Sequence, residues 1–243
     1  LRKSLNLISV RIVQQDYAPA EQVKRTAQRM GISTDIRAVD AIALGTSEVI
    51  PLEMVSAYAA YANKGVYSKP FAITKIEDRY GNTIREYGAV QYEVLSEEIA
   101  FLMTNLMQTV MDRGTAGSAR WKYKFTRPAA GKTGTTQGWS DAWFVGFTPQ
   151  LATGVWFGVD DYQVSLGMGQ DGSKAALPTW ARFMRDGHDI LEMPRVNFQR
   201  PSGIIVSEIC SVSKMGARKA CPIEKEVYKS GSEPGQKCRI HRN

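Results

Sequence analysis

Ala129-Ala130-Gly131-Lys132-Thr133-Gly134-Thr135-Thr136 runs from small residues into a cation and then into hydroxyls set around a glycine. The pattern is that of a β-strand ending in a binding site. Alternation places Thr133 and Thr135 on one side of the strand, with Lys132 and Thr136 on the other. Gly134 has no Cβ, so another backbone can approach closely there. One ammonium beside several short hydroxyl donors makes a small carboxylate-binding surface. The plainer reading is an ordinary strand with threonines on its exposed face, and Lys-Thr-Gly alone does not separate the two.

The residues that follow extend the strand reading. Asp141-Ala-Trp-Phe-Val-Gly-Phe-Thr148-Pro149 and Ala152-Thr-Gly-Val-Trp-Phe-Gly-Val159 are rich in aromatics and valine and are bounded by polar residues or proline. Such segments, joined here by a turn around Gly138, predict an antiparallel meander of three strands. A phosphate-binding P-loop is excluded. That motif needs a glycine five residues before Gly131, where the chain has Thr126, and a helix afterwards, where it has strand and turn.

Upstream the sequence is mostly helical. Leu7 to Val13 form an apolar run preceded by Ser4 and Asn6 as candidate caps. Ala20–Met30 is a second helix, closed by Gly31. Pro51–Asn63 is a third, with proline in its first turn and Lys64-Gly65 behind it. Tyr80-Gly81-Asn82 marks a hairpin between Phe71–Arg79 and Thr83–Tyr87. Ser96 caps an amphipathic helix reaching Arg113, whose inner face is expected to carry Ile99, Leu102, Met103, Leu106, Met107 and Val110. Gly114-Thr-Ala-Gly117 breaks that helix. Ser173–Arg185 is a last helix, with Trp180, Phe183 and Met184 expected inward. Helices packed on an antiparallel sheet define an α+β fold.

The 243 residues suffice for one or two domains with a full core. Pro194 marks the expected boundary between a body, 1–190, and an extension, 195–243. The net charge is +7, and ten Lys/Arg against four Asp/Glu from Arg195 onward account for +6 of it. Such a segment suits an anionic lipid, wall polymer or nucleic acid, and equally a solvated tail. Cys210, Cys221 and Cys238 all lie in this extension and none in the body. That fits an exported protein with a small stapled appendage, through one disulfide with a thiol left over, or through a Cys₃His zinc site completed by His241. No apolar run reaches the roughly 18 residues of a membrane span. The chain begins at Leu1 and not at Met, so it is expected to be a piece of something longer, without its anchor or leader.

Ser4-Leu5-Asn6 followed by Lys132-Thr133-Gly134 is, in that order, two of the three motifs of the serine acyl-transferases that bind β-lactams. The surroundings are more specific. Ser4-Leu-Asn-Leu-Ile-Ser-Val-Arg11, Pro51-Leu-Glu-Met-Val-Ser-Ala-Tyr-Ala59 with Asn63-Lys-Gly65, Gly114-Thr-Ala116, Ala130 to Thr136 and Asp141 to Pro149 resemble the transpeptidase domain of class A penicillin-binding proteins. The resemblance covers about residues 1–190; the cysteine-bearing tail is similar, less specifically, to the C-terminal extension of some members.

The resemblance implies a peptidoglycan D,D-transpeptidase of the penicillin-binding fold, working at the outer face of the bacterial cytoplasmic membrane on stem peptides and inhibited by β-lactams. It implies no cofactor, no metal in the reaction and no nucleic-acid partner. Ser4 would relay the proton to the leaving amine, with Lys132 beside it, and Asn6 would bind the substrate amide. Thr133 and Thr135, with Gly134 and Thr136 on the same strand, would receive the donor peptide and its carboxylate. The Thr135 N–H would be half of an oxyanion hole. One departure stands out. The family's nucleophile is the serine of a Ser-x-x-Lys motif upstream of Ser-x-Asn, and nothing precedes Leu1. Ser211-Val-Ser-Lys214 fits that pattern but follows Lys-Thr-Gly, inside the cysteine tail, and is read as a chance match. The chain thus resembles the later half of the domain, inactive alone. A class A β-lactamase-like hydrolase shares the motifs, and a non-catalytic wall-binding module is the reading outside enzymes.

Overall fold

The computed structural model describes residues 1–161 and 163–241. Six α-helices and nine strands are assigned among them: α1 Asn6–Gln14, α2 Ala20–Arg29, α3 Pro51–Ala62, β1 Val66–Ser68, β2 Lys75–Glu77, β3 Thr83–Glu86, β4 Gln91–Glu93, α4 Glu97–Arg113, α5 Ser118–Trp121, β5 Ala130–Thr135, β6 Asp141–Phe147, β7 Ala152–Gly158, α6 Ala176–Ile190, β8 Ile204–Cys210 and β9 Ile223–Lys229.

The expected meander is present. β5, β6 and β7 form an antiparallel sheet in chain order, with Lys132 opposite Val145 and Thr135 opposite Ala142. The other strands form three separate two-stranded sheets, β1–β4, β2–β3 and β8–β9. The α+β class therefore holds, and β2–β3 is the hairpin expected around Tyr80-Gly81-Asn82.

The core lies where α4 and α6 meet the central sheet. Trp180 and Met184 of α6, Phe144 of β6, Phe125, and Val110 and Met111 of α4 are all buried together. Trp180 sits edge-on to both Phe125 and Phe144, and its indole N–H donates to the carbonyls of Gly146 and Thr153. A large aromatic so placed supplies both buried area and a polar tie to the strands. Phe147 joins a second cluster with Met107 and Ala130, flanked by Tyr58 and Tyr61.

Helix ends follow local chemistry in part. Ser96 caps α4 by accepting the Ile99 N–H at 3.4 Å, and Pro51 opens α3 at a position whose N–H has no helical partner. α1 departs from expectation. Leu5 holds the N-cap position and no side chain caps it, while Ser4 sits just before it in the left-handed region at φ 51°.

Two inward faces are corrected. α4 buries Ala100, Thr104, Met107, Val110 and Met111, while Ile99 and Leu106 are exposed. The buried stripe runs through small Ala100 and Thr104 to Met107, Val110 and Met111, and α4 packs against β5 and α3. On α6, Trp180 and Met184 are buried as expected, but Phe183 is exposed.

Beyond α6 the chain stays tied to the body. Arg127 donates to the carbonyls of Met193 and Pro194, Arg195 to that of Thr126, and Phe198 packs edge-on against Phe147. The β8–β9 hairpin follows, contacting α4 through β9. The extension carries two paired strands of seven residues each.

Candidate active site

Three segments distant in sequence converge on β5. The turn before α1 brings Ser4, the loop after α4 brings Thr115, and β5 brings Lys132, Thr133 and Thr135. The loop docks on the turn through its backbone, the Thr115 N–H donating to the Arg2 carbonyl at 3.3 Å. Gly114 is required there, because a Cβ at that position would lie 2.6 Å from the Arg2 carbonyl oxygen and 2.7 Å from the Val110 Cα.

The central contact is between Lys132 and Ser4. The Lys132 ammonium donates to Ser4 Oγ at 2.7 Å and to the Thr133 carbonyl at 2.8 Å. The Lys132 side chain lies largely inside the protein, and this burial pushes its pKa down from the ordinary 10.5. Ser4 is exposed. The pair thus joins a cation rooted in the protein to a hydroxyl at the surface. Asn6, the first residue of α1, is exposed one turn-residue beyond Ser4.

The threonines divide by alternation. Thr133 Oγ1 lies 2.9 Å from Thr115 Oγ1, so one of the two hydroxyls retains a proton for an outside acceptor. Thr135 Oγ1 accepts the Gly172 N–H at 3.1 Å, which leaves its own proton free to donate. Thr136 is committed elsewhere. Its Oγ1 accepts the Asp141 N–H and lies 2.8 Å from Ser140 Oγ, holding the β5–β6 turn together. At Gly134 the space a Cβ would take is met by the Trp143 side chain, 3.1 Å away at its Cβ, and not by another backbone; the close backbone approach lies at Gly172. A Cβ on Gly172 would lie 2.7 Å from the Gly134 carbonyl oxygen and 2.2 Å from that of Trp143, so the segment before α6 lies tight against the end of the β5–β6 ladder.

Among the described residues β5 pairs on one side only, with β6. Its other edge is open to an added strand, the mode by which extended peptides bind sheets. Lys132, a row of hydroxyls and an open strand edge together suit an extended peptide ending in a carboxylate.

The structure adds two residues to those expected, Thr115 and Gly172. Thr115 lies in Gly114-Thr-Ala116, one of the stretches that carry the family resemblance. Gly172 had no local signal, because its contact with Thr135 spans 37 residues. Two side chains outside this site have structural partners. His188 is fully buried, with Nδ1 donating to the Met184 carbonyl at 2.6 Å and Nε2 at 2.9 Å from Thr148 Oγ1. In Ser211-Val-Ser-Lys214, Lys214 is ion-paired with Glu224, not with a serine.

Comparison with known proteins gives a consistent result. A model of the penicillin binding protein transpeptidase domain matches residues 12–185, which include β5 and leave Ser4 and Asn6 just outside. Penicillin-binding protein 1A of Aquifex aeolicus is 35% identical over 239 residues, 98% of this chain and 32% of that protein. Penicillin-binding protein 2D of Bacillus subtilis is 32% identical over 228 residues, 91% of this chain and 32% of that protein. The chain thus spans about a third of the length of these curated relatives. The crystal structure of penicillin-binding protein 1A from Haemophilus influenzae superposes with a TM-score of 0.88 at 27% identity, covering 98% of this chain and 40% of that one. PonA1 from Mycobacterium tuberculosis in complex with penicillin V gives a TM-score of 0.64 at 25% identity, covering 79% of this chain and 56% of that one. With the family model spanning more than half of its length and the fold agreeing throughout, this chain belongs to the family of penicillin-binding protein transpeptidase domains.

Proposed function

We propose that this chain carries the later part of the active site of a serine-type peptidoglycan D,D-transpeptidase, and that the Lys132–Ser4 contact is its proton relay. The observation that carries the reading is the 2.7 Å Nζ–Oγ distance beside the Thr133 and Thr135 hydroxyls on an open strand edge. The division into a transpeptidase body, 1–190, and a C-terminal extension, 195–243, is part of the proposal.

The chemistry assigns the roles. An activated serine attacks the penultimate D-Ala carbonyl of a stem peptide, the terminal D-Ala leaves as an amine, and an acceptor amine resolves the acyl-enzyme. The attacking serine belongs to a Ser-x-x-Lys motif outside residues 1–243. The leaving amine takes its proton from Ser4 Oγ, Ser4 regains one from the base that took the proton of the attacking serine, and the adjacent Lys132 ammonium stabilises the Ser4 oxygen meanwhile. Thr133 and Thr135 donate to the terminal carboxylate, Gly134 lets the peptide lie flat along β5, and Asn6 binds the substrate amide. The backbone N–H of Thr135 stabilises the developing oxyanion. β-Lactams enter by the same geometry, since they present a strained amide and a carboxylate. The working location is the outer face of the cytoplasmic membrane, with anchoring by a segment outside these residues. No helix among the described residues is long and apolar enough to cross a membrane.

The test is acylation of the full-length protein by penicillin. Lys132→Ala is expected to slow it about 10²–10³-fold, the usual cost of losing one positioned electrostatic group in such a site. Because burial lowers the pKa of Lys132 and the ammonium is the working form, the wild-type rate should begin to fall as pH rises while still below 10.5. A Lys132→Ala rate within a few-fold of wild type, or a profile flat through pH 10.5, would sink the relay.

A further inference from the structure

The four groups that the body's chemistry leaves unused converge in the extension. Cys210 Sγ, Cys221 Sγ, Cys238 Sγ and one ring nitrogen of His241 all lie within 4.8 Å of one another. The three cysteines are buried and free, and His241 is half-buried. His241 Nδ1 is 3.5 Å from both Cys210 Sγ and Cys238 Sγ. A tetrahedral zinc with Zn–S of about 2.3 Å and Zn–N of about 2.05 Å places its sulfur and nitrogen ligands about 3.5 Å apart.

We propose that Cys210, Cys221, Cys238 and His241 form a structural Cys₃His zinc site that holds the C-terminal extension together. The backbone prearranges the ligands. Cys210 ends β8 and its carbonyl accepts the Lys214 N–H, closing a turn behind it. Gly216 then pairs with the last segment, accepting the Cys238 N–H at 2.8 Å and donating to the Gln236 carbonyl at 3.0 Å. The Arg218 guanidinium donates to the Cys238 carbonyl at 2.7 Å, tying the second and third cysteine segments. Amides also face the sulfurs: Arg218 N–H donates to Cys221 Sγ at 3.2 Å, and His241 N–H lies 3.5 Å from Cys238 Sγ. Amide donors around thiolates are the usual outer shell of a metal centre.

A disulfide would use two of these sulfurs and leave a third thiol and an imidazole gathered for no purpose. Three sulfurs and one imidazole in a compact tetrahedron match zinc over the hard, oxygen-seeking cations. All four positions are protein ligands, so the site is closed and structural, with no open position for a reacting water. The need is plain from the packing. The buried cluster of the extension consists of the three cysteines with Ala217 packed against them, and β8 adds buried Ile204 and Ile209, a thin apolar core for the 49 residues from Arg195 onward without a staple.

The test uses the wild-type full-length protein, purified without chelator and without added reductant. Metal analysis is expected to find one zinc per chain, and exchange for Co²⁺ to give the intense visible bands and sulfur-to-metal charge transfer of a tetrahedral thiolate centre. His241→Ala should weaken zinc binding about 10²–10³-fold, as loss of one of four ligands implies. His241→Cys should retain the metal and strengthen the charge-transfer band. A denatured, unreduced mass two hydrogens below the free-thiol value with no metal bound would replace the site by a disulfide. Three thiols that react freely in the folded protein with no metal bound would also overturn it. Both readings come from the wild-type protein, so a variant that fails to fold does not blunt the test.

Discussion

The sheet β5–β6–β7 and the hairpin β8–β9 are both antiparallel, yet they are held by different physics. The central sheet is covered by helices, and its inward residues join a core of large side chains around Trp180, Phe125 and Phe144. The hairpin has seven paired positions but a cluster built from Cys210, Cys221 and Cys238. Hydrophobic area scales with what can be buried, and a short segment with one thin layer buries little. The difference teaches that strand pairing alone does not make a stable unit: the first sheet is secured by burial, the second by convergence of a few special side chains.

The contrast is tested most severely at Trp180. Trp180→Ala should cost about 3–5 kcal/mol, the range for truncating a buried large aromatic, with two strand carbonyls losing a donor besides. Urea unfolding of the full-length protein, followed by tryptophan fluorescence from the remaining indoles, measures it. A loss below about 1 kcal/mol would mean that the body is not organised around this core.

Thr135 tests whether the sheet also works as a reader of substrate. Its hydroxyl accepts the Gly172 N–H and keeps a proton to give. Thr135→Val removes the donor and strands that amide. Acylation by a β-lactam with a free carboxylate should fall about 10–100-fold, since hydrogen bonds to charged groups contribute about 1.5–3 kcal/mol. Thr135→Ser should restore most of the rate. A β-lactam with its carboxylate esterified should be nearly indifferent to the valine. Equal losses for acid and ester would show that Thr135 supports the strand through Gly172 and does not read the carboxylate.

The smallest effect is expected in the hairpin, at the exposed Lys214–Glu224 pair. Lys214→Ala should change thermal stability by no more than about 0.5 kcal/mol, because solvent screens such pairs. The same substitution removes the lysine of the Ser211-Val-Ser-Lys214 pattern. Penicillin acylation should be unchanged, and loss of labelling with Lys214→Ala would reverse the assignment of that pattern to chance.

The fold was legible where the signals are local. Runs of aromatics and valine bounded by polar residues or proline announce β6 and β7, Ser96 announces the start of α4, and Pro51 that of α3, because each depends on neighbours within a turn or a strand. The faces were less legible. Ile99, Leu106 and Phe183 are large and apolar yet exposed, while Ala100 and Thr104 are buried. Hydrophobicity tells that α4 is amphipathic, but shape complementarity with β5 selects which side is seated. Ser4 was legible as part of a Ser-x-Asn pattern, but its left-handed backbone was not.

By itself the amino-acid order determined the element types, the Lys-Thr-Gly strand, the kinship with penicillin-binding transpeptidases, and the placing of every cysteine in the extension. Each rests on periodicity, turn chemistry or a linear motif, all properties of neighbouring residues. Only the tertiary structure decided that Lys132 reaches Ser4 across 128 residues, that Thr133 meets Thr115, and that Thr136 belongs to a turn. It alone gathered the three cysteine sulfurs and a His241 ring nitrogen within 4.8 Å of one another. Those facts depend on how a packed core folds distant segments together. Sequence spacing does not encode a through-space distance of a few ångströms; the burial of Trp180 and its neighbours, which locks the sheet against α4 and α6, does.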